Sequence, residues 1–429
     1  MKFNKIAFTD IDGVLRGKYI STTKLKKRKI GYCDVVFGWD INDNVYLQDS
    51  VTGWHSGFPD GMLTIDTNSE RLIPWENSCP MYLSDFSDDE NLKKVCPRSL
   101  LKDIVSAYHK LGIYPKVGFE YEWFNFEKTS ETLENPQKNT ITQGMFGYSL
   151  LRLQESKDFV KQLLTDLPSF NIDIEGFHTE TGPGVYEMAL QYKDAVNAAD
   201  DAILFKQSVK EIGLQHQIIA SFMAKWNTDL PGCGAHIHVS LHDKEGKNLM
   251  NLNTIENTHT ISTQFLEGIM LGIAPLLPLY APTINSYKRL TEGSWAATSV
   301  SWGYQNRTTA VRLITDYPEN HHIEMRVPGS DTNPYLALYA ILASGLYGIT
   351  QQLKLQHKEQ KGNAYENDAH IKLPKSLEEA VKLMETDSFP SKVLNKTFLE
   401  HYLMTRKWEV QQYQKSVTDW ELKRYLEII

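Results

Sequence analysis

The chain has 429 residues, enough for a large core and two domains, with the apolar, aromatic and charged fractions of a soluble globular protein. A formal charge of −8 argues against a nucleic-acid-binding surface. Cys33, Cys79, Cys96 and Cys233 lack paired metal-type spacing, and the opening MKFNKIAFTD carries charge where a signal peptide needs an apolar stretch, so reduced thiols and a cytoplasmic location are expected.

Phe8–Leu15 reads FTDIDGVL. Taken alone, Asp10-x-Asp12-Gly-Val resembles the motif in which an aspartate attacks phosphate in haloacid-dehalogenase-type phosphatases. That chemistry also needs a downstream lysine, an acidic metal pair and a doubly wound α/β chain. No such alternation of strands and helices runs through this sequence. Asp10 and Asp12 read instead as a turn after an edge strand. Lys24–Lys29 is a solvated basic run. GYCDVVFGWDINDNVY (Gly31–Tyr46) and Leu63–Ile73 read as short strands between turns rich in Gly, Asp and Asn.

Pro97–Lys110 reads as a helix with a stripe of Leu101, Val105 and Tyr108, ended by Gly112. In VGFEYEWFNF, strand alternation sends Phe119, Tyr121 and Trp123 inward and sets Glu120 and Glu122 together on the other face, roughly 7 Å apart at Cα. On a solvated face such a pair is tolerable; in a concave site it repels unless a cation lies between. In IEGFHTETGPGVYEM, Glu180 and Glu187 flank the sharp Gly182-Pro183-Gly184 turn. Asn197–Gly213 reads as an amphipathic helix and Gln217–Trp226 as a strand. PGCGAHIHVSL then puts His236, His238 and Ser240 on one face, suited to metal and nucleotide, although a lone histidine is more often structural.

Gly268–Tyr287 is uncharged, but Pro275, Pro278 and Pro282 break it into a buried, bent segment rather than a membrane span. Between Ala281 and Leu336 four arginines, Arg289, Arg307, Arg312 and Arg326, sit beside short apolar runs, where unpaired cations are costly. The period of two in Ile323–Val327 places Glu324 and Arg326 on one face. For any one arginine an ordinary ion pair is the simpler reading; together they suit carboxylate, phosphate and metal. Asn333-Pro334 opens a long apolar helix, YLALYAILASGLYGI, and Lys358–Asn367 is a polar surface loop.

These words, NSYKR, WGYxNRTxxxR and IExRxPGxDxNPYLAL, with the E-x-E strand, the H-x-H strand, the opening DIDGVLRGKYIS and the closing VTDWELKRYLEII, resemble the glutamine synthetase family over nearly the whole chain. The resemblance implies an α+β fold. A small N-terminal β-grasp-like domain would span residues 1–96, and a catalytic domain on an antiparallel sheet flanked by helices would span 97–429. It implies two or more Mg²⁺ or Mn²⁺ ions per site, one held by Glu122, Glu180 and Glu187, the other by Glu120, His236 and Glu324. ATP, the co-substrate, would meet Glu175, His238, Ser240, Arg307 and Arg312. Glutamate would lie on Gly232, Arg289, Arg307 and Arg326, with Arg307 also offsetting charge on the transferred phosphoryl group. Pro231 stands where many members carry an asparagine that holds the substrate's α-amino group, which leaves backbone around Gly232.

By the same resemblance the enzyme phosphorylates the γ-carboxylate of glutamate, and an amine then attacks the acyl phosphate. A homo-oligomer is implied, a dodecamer as in the family's bacterial members, with Asp40 the positional candidate for the acidic residue that reaches a neighbouring subunit's site. Six residues beyond the arginine of NSYKR, ammonia-using members carry a glutamate; here the residue is Trp295, with Glu292 close by. An indole cannot take ammonium's proton but can cover the methylenes of an alkylamine. GSWA before WGYxNRT further resembles γ-glutamyl-polyamine, -putrescine and -ethanolamine ligases. An alkyl- or polyamine is therefore the expected nucleophile, with ammonia, a phosphatase and a non-catalytic scaffold as the alternatives.

Overall fold

The computed structural model describes residues 2–132, 134–253, 255, 258–367 and 369–429. Among them, β1 (Phe3–Thr9), β2 (Leu15–Ser21), β3 (Lys29–Cys33), β4 (Asp60–Ile65), β5 (Arg71–Ile73) and β6 (Cys79–Asp85) form one six-stranded sheet. Strand β1 lies inside it, antiparallel to β2 and parallel to β6. The expected edge strand before Asp10 is thus corrected: nearly every residue of β1 is buried, and an apolar strand of this kind is stable only when paired on both sides. The pleat gives the sheet two working faces. Ile6, Phe8 and Tyr82 join a local core with Ile30, Leu63 and Phe86, while Ala7, Met81 and Leu83 join the main core of the protein.

The turn after β1 consumes both aspartates. Asp10 accepts from the backbone N–H of Asp12 (3.1 Å) and Val14 (2.8 Å) and pairs with Arg16 (2.8 Å). Asp12 pairs with Arg406, and Asn333 donates to the Asp10 carbonyl at 3.0 Å. A phosphatase nucleophile needs a free, exposed carboxylate, and neither residue offers one. The pair is a structural turn that ties the N-terminal sheet to the start of helix Pro334–Thr350 and to helix Lys396–Lys415.

The second sheet has nine strands among the described residues. They are β7 (Tyr114–Glu127), β8 (Ile174–Thr179), β9 (Val185–Leu190), β10 (Lys193–Asp194), β11 (Ile218–Ser221), β12 (Ala235–His242), β13 (Trp302–Tyr304), β14 (Val311–Ile314) and β15 (His322–Met325). The order is β13-β14-β15-β12-β7-β9-β8, with β10 and β11 also on β7; the pairs are antiparallel except β13–β14. Strand β7 is the axis. Phe119, Tyr121 and Trp123 are buried on one face, where Phe205 of helix Ala195–Gln215 stacks against Tyr121 and meets Trp123 edge-on. The opposite face presents Glu120 and Glu122. The strand expected over 217–226 stops at Ser221, because the backbone beyond bonds to loops: Lys225 N–H to the Asn285 side chain, and Cys233 N–H to the Ala224 carbonyl. No helix among the described residues is long and apolar enough to cross a membrane.

Helix Pro97–Lys110 begins as its sequence predicts, with proline in the first turn, and its second residue joins the two sheets. Arg98, with a 4% exposed side chain, donates to Asp85 (2.8 Å), to Asp66 (2.7 Å) and through both Nε (2.9 Å) and Nη2 (2.8 Å) to Asp200 of helix Ala195–Gln215. Removing one member of such a network leaves buried charge uncompensated. Arg98→Ala should cost about 3–5 kcal/mol, read as a fall in thermal midpoint; an unchanged midpoint would show that the network does not hold the sheets together.

Candidate active site

The face of the second sheet opposite the aromatic core is organised by register. One cross-strand row runs Arg312–Glu324–His238, a second pairs His236 with Glu120, and a third runs Glu122–Glu187–His178. Because side chains directly opposite one another sit close, these rows collect carboxylates and imidazoles from five strands. His236 Nδ1 lies 3.0 Å from Glu120 and 3.3 Å from Glu324, and His238 Nε2 lies 3.5 Å from Glu120. Glu324 also pairs with Arg312 (3.0 Å) and with Arg326.

Charge sorts this face into two halves. Burial alone would raise Glu324 and Glu120. For Glu324, the charges of His236 and Arg326 outweigh it and hold the carboxyl down at about 2; for Glu120, hydrogen bonds from His236 and His238 keep it well below the usual range. Glu187 goes the other way, to about 8, through burial and the neighbouring charges of Glu120 and Glu122. His178, hydrogen-bonded to Glu187, is drawn up with it. This half of the face is short of positive charge.

The donor atoms of Glu120, His238 and Glu324 fall within 4.8 Å of one another, as do those of His178, Glu180 and Glu187. Both sets fit a hard divalent cation with mostly oxygen ligands. Each differs by one residue from the expected set. His236 still touches Glu120 and Glu324. Glu122 has one carboxylate oxygen committed to the Gly234 N–H at 2.7 Å, and its backbone carbonyl accepts from Ser330 Oγ at 2.5 Å. His178 was not signalled, because nothing in GFHTE marks a histidine facing glutamates across two strands.

The arginines also divide. Arg326 and Arg312 both pair with Glu324, Arg312 donating in addition to Gln305. Arg289 is buried, donates only to the carbonyls of Val327 (2.9 Å) and Arg326 (3.3 Å), and has no carboxylate partner among the described residues. Gly232 and Gly234 make room for it: a Cβ on Gly232 would come within 2.9 Å of Arg289 Cγ, and one on Gly234 within 2.8 Å of its Nη2. Arg307 is exposed, and its guanidinium has neither a hydrogen bond nor an ion pair among the described residues. Two cations therefore stand ready for an anion.

Arg307 lines a cavity of about 650 Å³ together with Trp295, Tyr304 and the segment Glu359–Asn363. Trp295 is 64% exposed, and its backbone is left-handed, at φ +58°, a conformation rare for a bulky residue and costing about 1–3 kcal/mol. Glu292 turns outward toward Lys372, 4.0 Å away. Ser240 hydrogen-bonds His242 (2.9 Å), and His322, also unsignalled, hydrogen-bonds His238 (3.1 Å). Two expected residues are not brought in. Glu175 is exposed at a bulge in β8. Asp40 is buried in its own loop, accepting from the backbone of Asn42 and Asn44 and from Trp408 Nε1 at 2.9 Å.

The chain matches the family described as glutamine synthetase, catalytic domain, over residues 94–425. It is 43% identical to type-1 glutamine synthetase 2 of Dictyostelium discoideum, covering 100% of this chain and 84% of the relative. It is 34% identical to a glutamate–isopropylamine ligase of a Pseudomonas species, covering 99% and 95%. The solved structure of a GmaS/ADP complex superposes with a TM-score of 0.85 at 26% identity, covering 99% of this chain and 97% of the other.

Titration with Mn²⁺, followed by paramagnetic resonance, should give two ions per chain. His178→Ala should weaken one of them about 10–100-fold and spare the other. An unchanged pair of affinities would reduce His178 to a bystander.

Proposed function

The chain belongs to the glutamine synthetase family, and we propose that it joins the γ-carboxylate of glutamate to an alkyl- or polyamine through a γ-glutamyl phosphate made from ATP. It is an ATP-dependent ligase that forms a carbon–nitrogen bond on glutamate. The observation that carries the choice of amine is Trp295, an exposed indole held in the left-handed region over the cavity that Arg307 also lines, where ammonia-using members carry a carboxylate.

Roles follow from charge. Arg289, buried and without a carboxylate partner among the described residues, offers a rigid fork to a substrate carboxylate that a lysine could not match. Arg326, fixed by Glu324, adds a second contact. Arg307 offsets charge on the phosphoryl group in transfer, with Arg312, His238 and Ser240 on the nucleotide side. Glu120, Glu122, Glu180, Glu187, Glu324 and His236 or His238 would hold Mg²⁺ or Mn²⁺, with His178 beside them. Such ions, when bound, shield the transferring phosphate's charge. Trp295 shields the amine from water and offers its ring face to an ammonium, worth about 0.5–2 kcal/mol, or up to about thirtyfold in binding.

We further take residues 1–96 as an N-terminal domain that docks on a neighbouring subunit in a ring-like oligomer, a dodecamer by family resemblance. Ile41, Leu47 and Trp54 are exposed there, and Asp40 stiffens the loop that bears the first two. Light scattering should find an oligomer; a fully active monomer would refute this assembly.

Ammonia is the second reading, favoured by the Dictyostelium relative's name. The two are separated by kcat/KM for ammonia, methylamine, ethanolamine, putrescine and spermidine, with ADP release as the readout. An alkyl- or polyamine should win by about tenfold or more. If ammonia wins, Trp295 is not an amine-selecting residue.

A further inference from the structure

The segment after His357, polar in sequence, is built into the wall of the Trp295 cavity. Trp302 Nε1 donates to the His357 carbonyl at 2.8 Å, and the Gln360 N–H donates back to the Trp302 carbonyl at 2.8 Å. Asn306 Nδ2 holds the carbonyls of Gln360 (3.1 Å) and Gly362 (2.8 Å), and Thr308 Oγ1 accepts from the Ala364 N–H at 3.0 Å. From the other side, Tyr365 donates to the Ala296 carbonyl at 3.1 Å, next to Trp295. The turn that carries Arg307 thus holds the segment, and the segment in turn holds the backbone beside Trp295.

Within this pinned wall lies Glu359. Its side chain is only 14% exposed, yet its one charged partner among the described residues is Lys361, 3.6 Å away and itself 80% exposed. That separation exceeds a hydrogen bond, and the lysine swings on a flexible stem in water, so the contact is weak and displaceable. A recessed carboxylate without a hydrogen-bond donor among the described residues is costly unless something else meets it. The wall therefore puts an anion on the same cavity as an aromatic face, with room for an extended aliphatic chain.

We propose that Glu359 and Trp295 form a second cation subsite that selects amines carrying a remote positive charge, a diamine or polyamine rather than a simple alkylamine. The subsite, which rests on the amine-ligase reading, leaves the bond-forming step unchanged. One amine loses its proton and attacks the γ-carbonyl carbon of the acyl phosphate. The C–N bond forms, the C–O bond to phosphate breaks, phosphate leaves with the electron pair, and the nitrogen gives up a second proton to the departing phosphate as the neutral amide forms. The other amine remains an ammonium throughout, its methylenes along the indole and its charge on Glu359.

The test compares butane-1,4-diamine with butylamine, which differ chiefly in the remote ammonium, by kcat/KM in the full-length protein and in Glu359→Gln. The native enzyme should favour the diamine about ten- to hundredfold, and the Gln variant should bring the ratio near one. Each ratio is taken within one protein preparation, so a general loss of folded enzyme cancels. Glu359→Lys should move the preference toward 4-aminobutanoate, whose remote group is a carboxylate. A native ratio near one, or a ratio that survives Glu359→Gln, overturns the subsite. Failure of every amine to release ADP from ATP and glutamate would instead overturn the ligase reading.

Discussion

Four carboxylates on one face of one sheet and a fifth at its edge crowd together, and the rest of the site is arranged around their mutual repulsion. Glu122 and Glu187 face each other on β7 and β9, Glu120 lies two residues before Glu122 on β7, Glu324 lies across β12 on β15, and Glu180 sits at the turn beyond. Glu324 is neutralised from within by two arginines and neighbouring imidazoles, and its carboxyl stays ionised. Glu187 has only His178 to offset it and is driven up by burial and by the charges of Glu120 and Glu122. A folded chain keeps such an arrangement only where external cations complete it, because clustered buried anions oppose folding. The same bookkeeping explains Arg289 and Arg307, which stand without carboxylate partners among the described residues: they complement a ligand's negative charge rather than the protein's own.

The scaffold beneath holds this face rigid. Aromatic packing of Tyr121, Trp123, Phe205 and Phe222 fills the opposite side of β7. Lys206, fully buried and pushed down to about 7 by burial and Lys210, donates to the carbonyls of Ser330 (2.7 Å) and Thr332 (3.0 Å). Ser330 in turn donates to the carbonyls of Glu122 and Gly234. A lysine on a helix thereby secures the loop that clamps a carboxylate-bearing strand to its neighbour.

Periodicity made much of this legible. Alternation in VGFEYEWFNF separated the core aromatics from Glu120 and Glu122, and proline at the first helical turn marked the helices at Pro97 and Pro334. The arginine-rich words from Ala281 onward point to anion binding by their sequence alone. Contacts between strands distant in sequence were not legible: His178 against Glu187, His322 against His238, and Glu359 in the cavity wall depend on register and loop docking, not on local pattern. The turn at Asp10 misled in a different way. Its residues matched a nucleophile motif and an edge-strand turn, whereas long-range partners, Asn333 and Arg406, fix it inside the fold.

Transfer of a phosphoryl group to the γ-carboxylate of glutamate, on which every role above depends, leaves an isotopic trace. Glutamate labelled with ¹⁸O in that carboxylate should be turned over with ATP and a preferred amine, and the released phosphate examined by mass spectrometry. The account predicts one labelled oxygen in every phosphate, carried over when the acyl phosphate is broken by the amine. Unlabelled phosphate alongside full amide formation would contradict it.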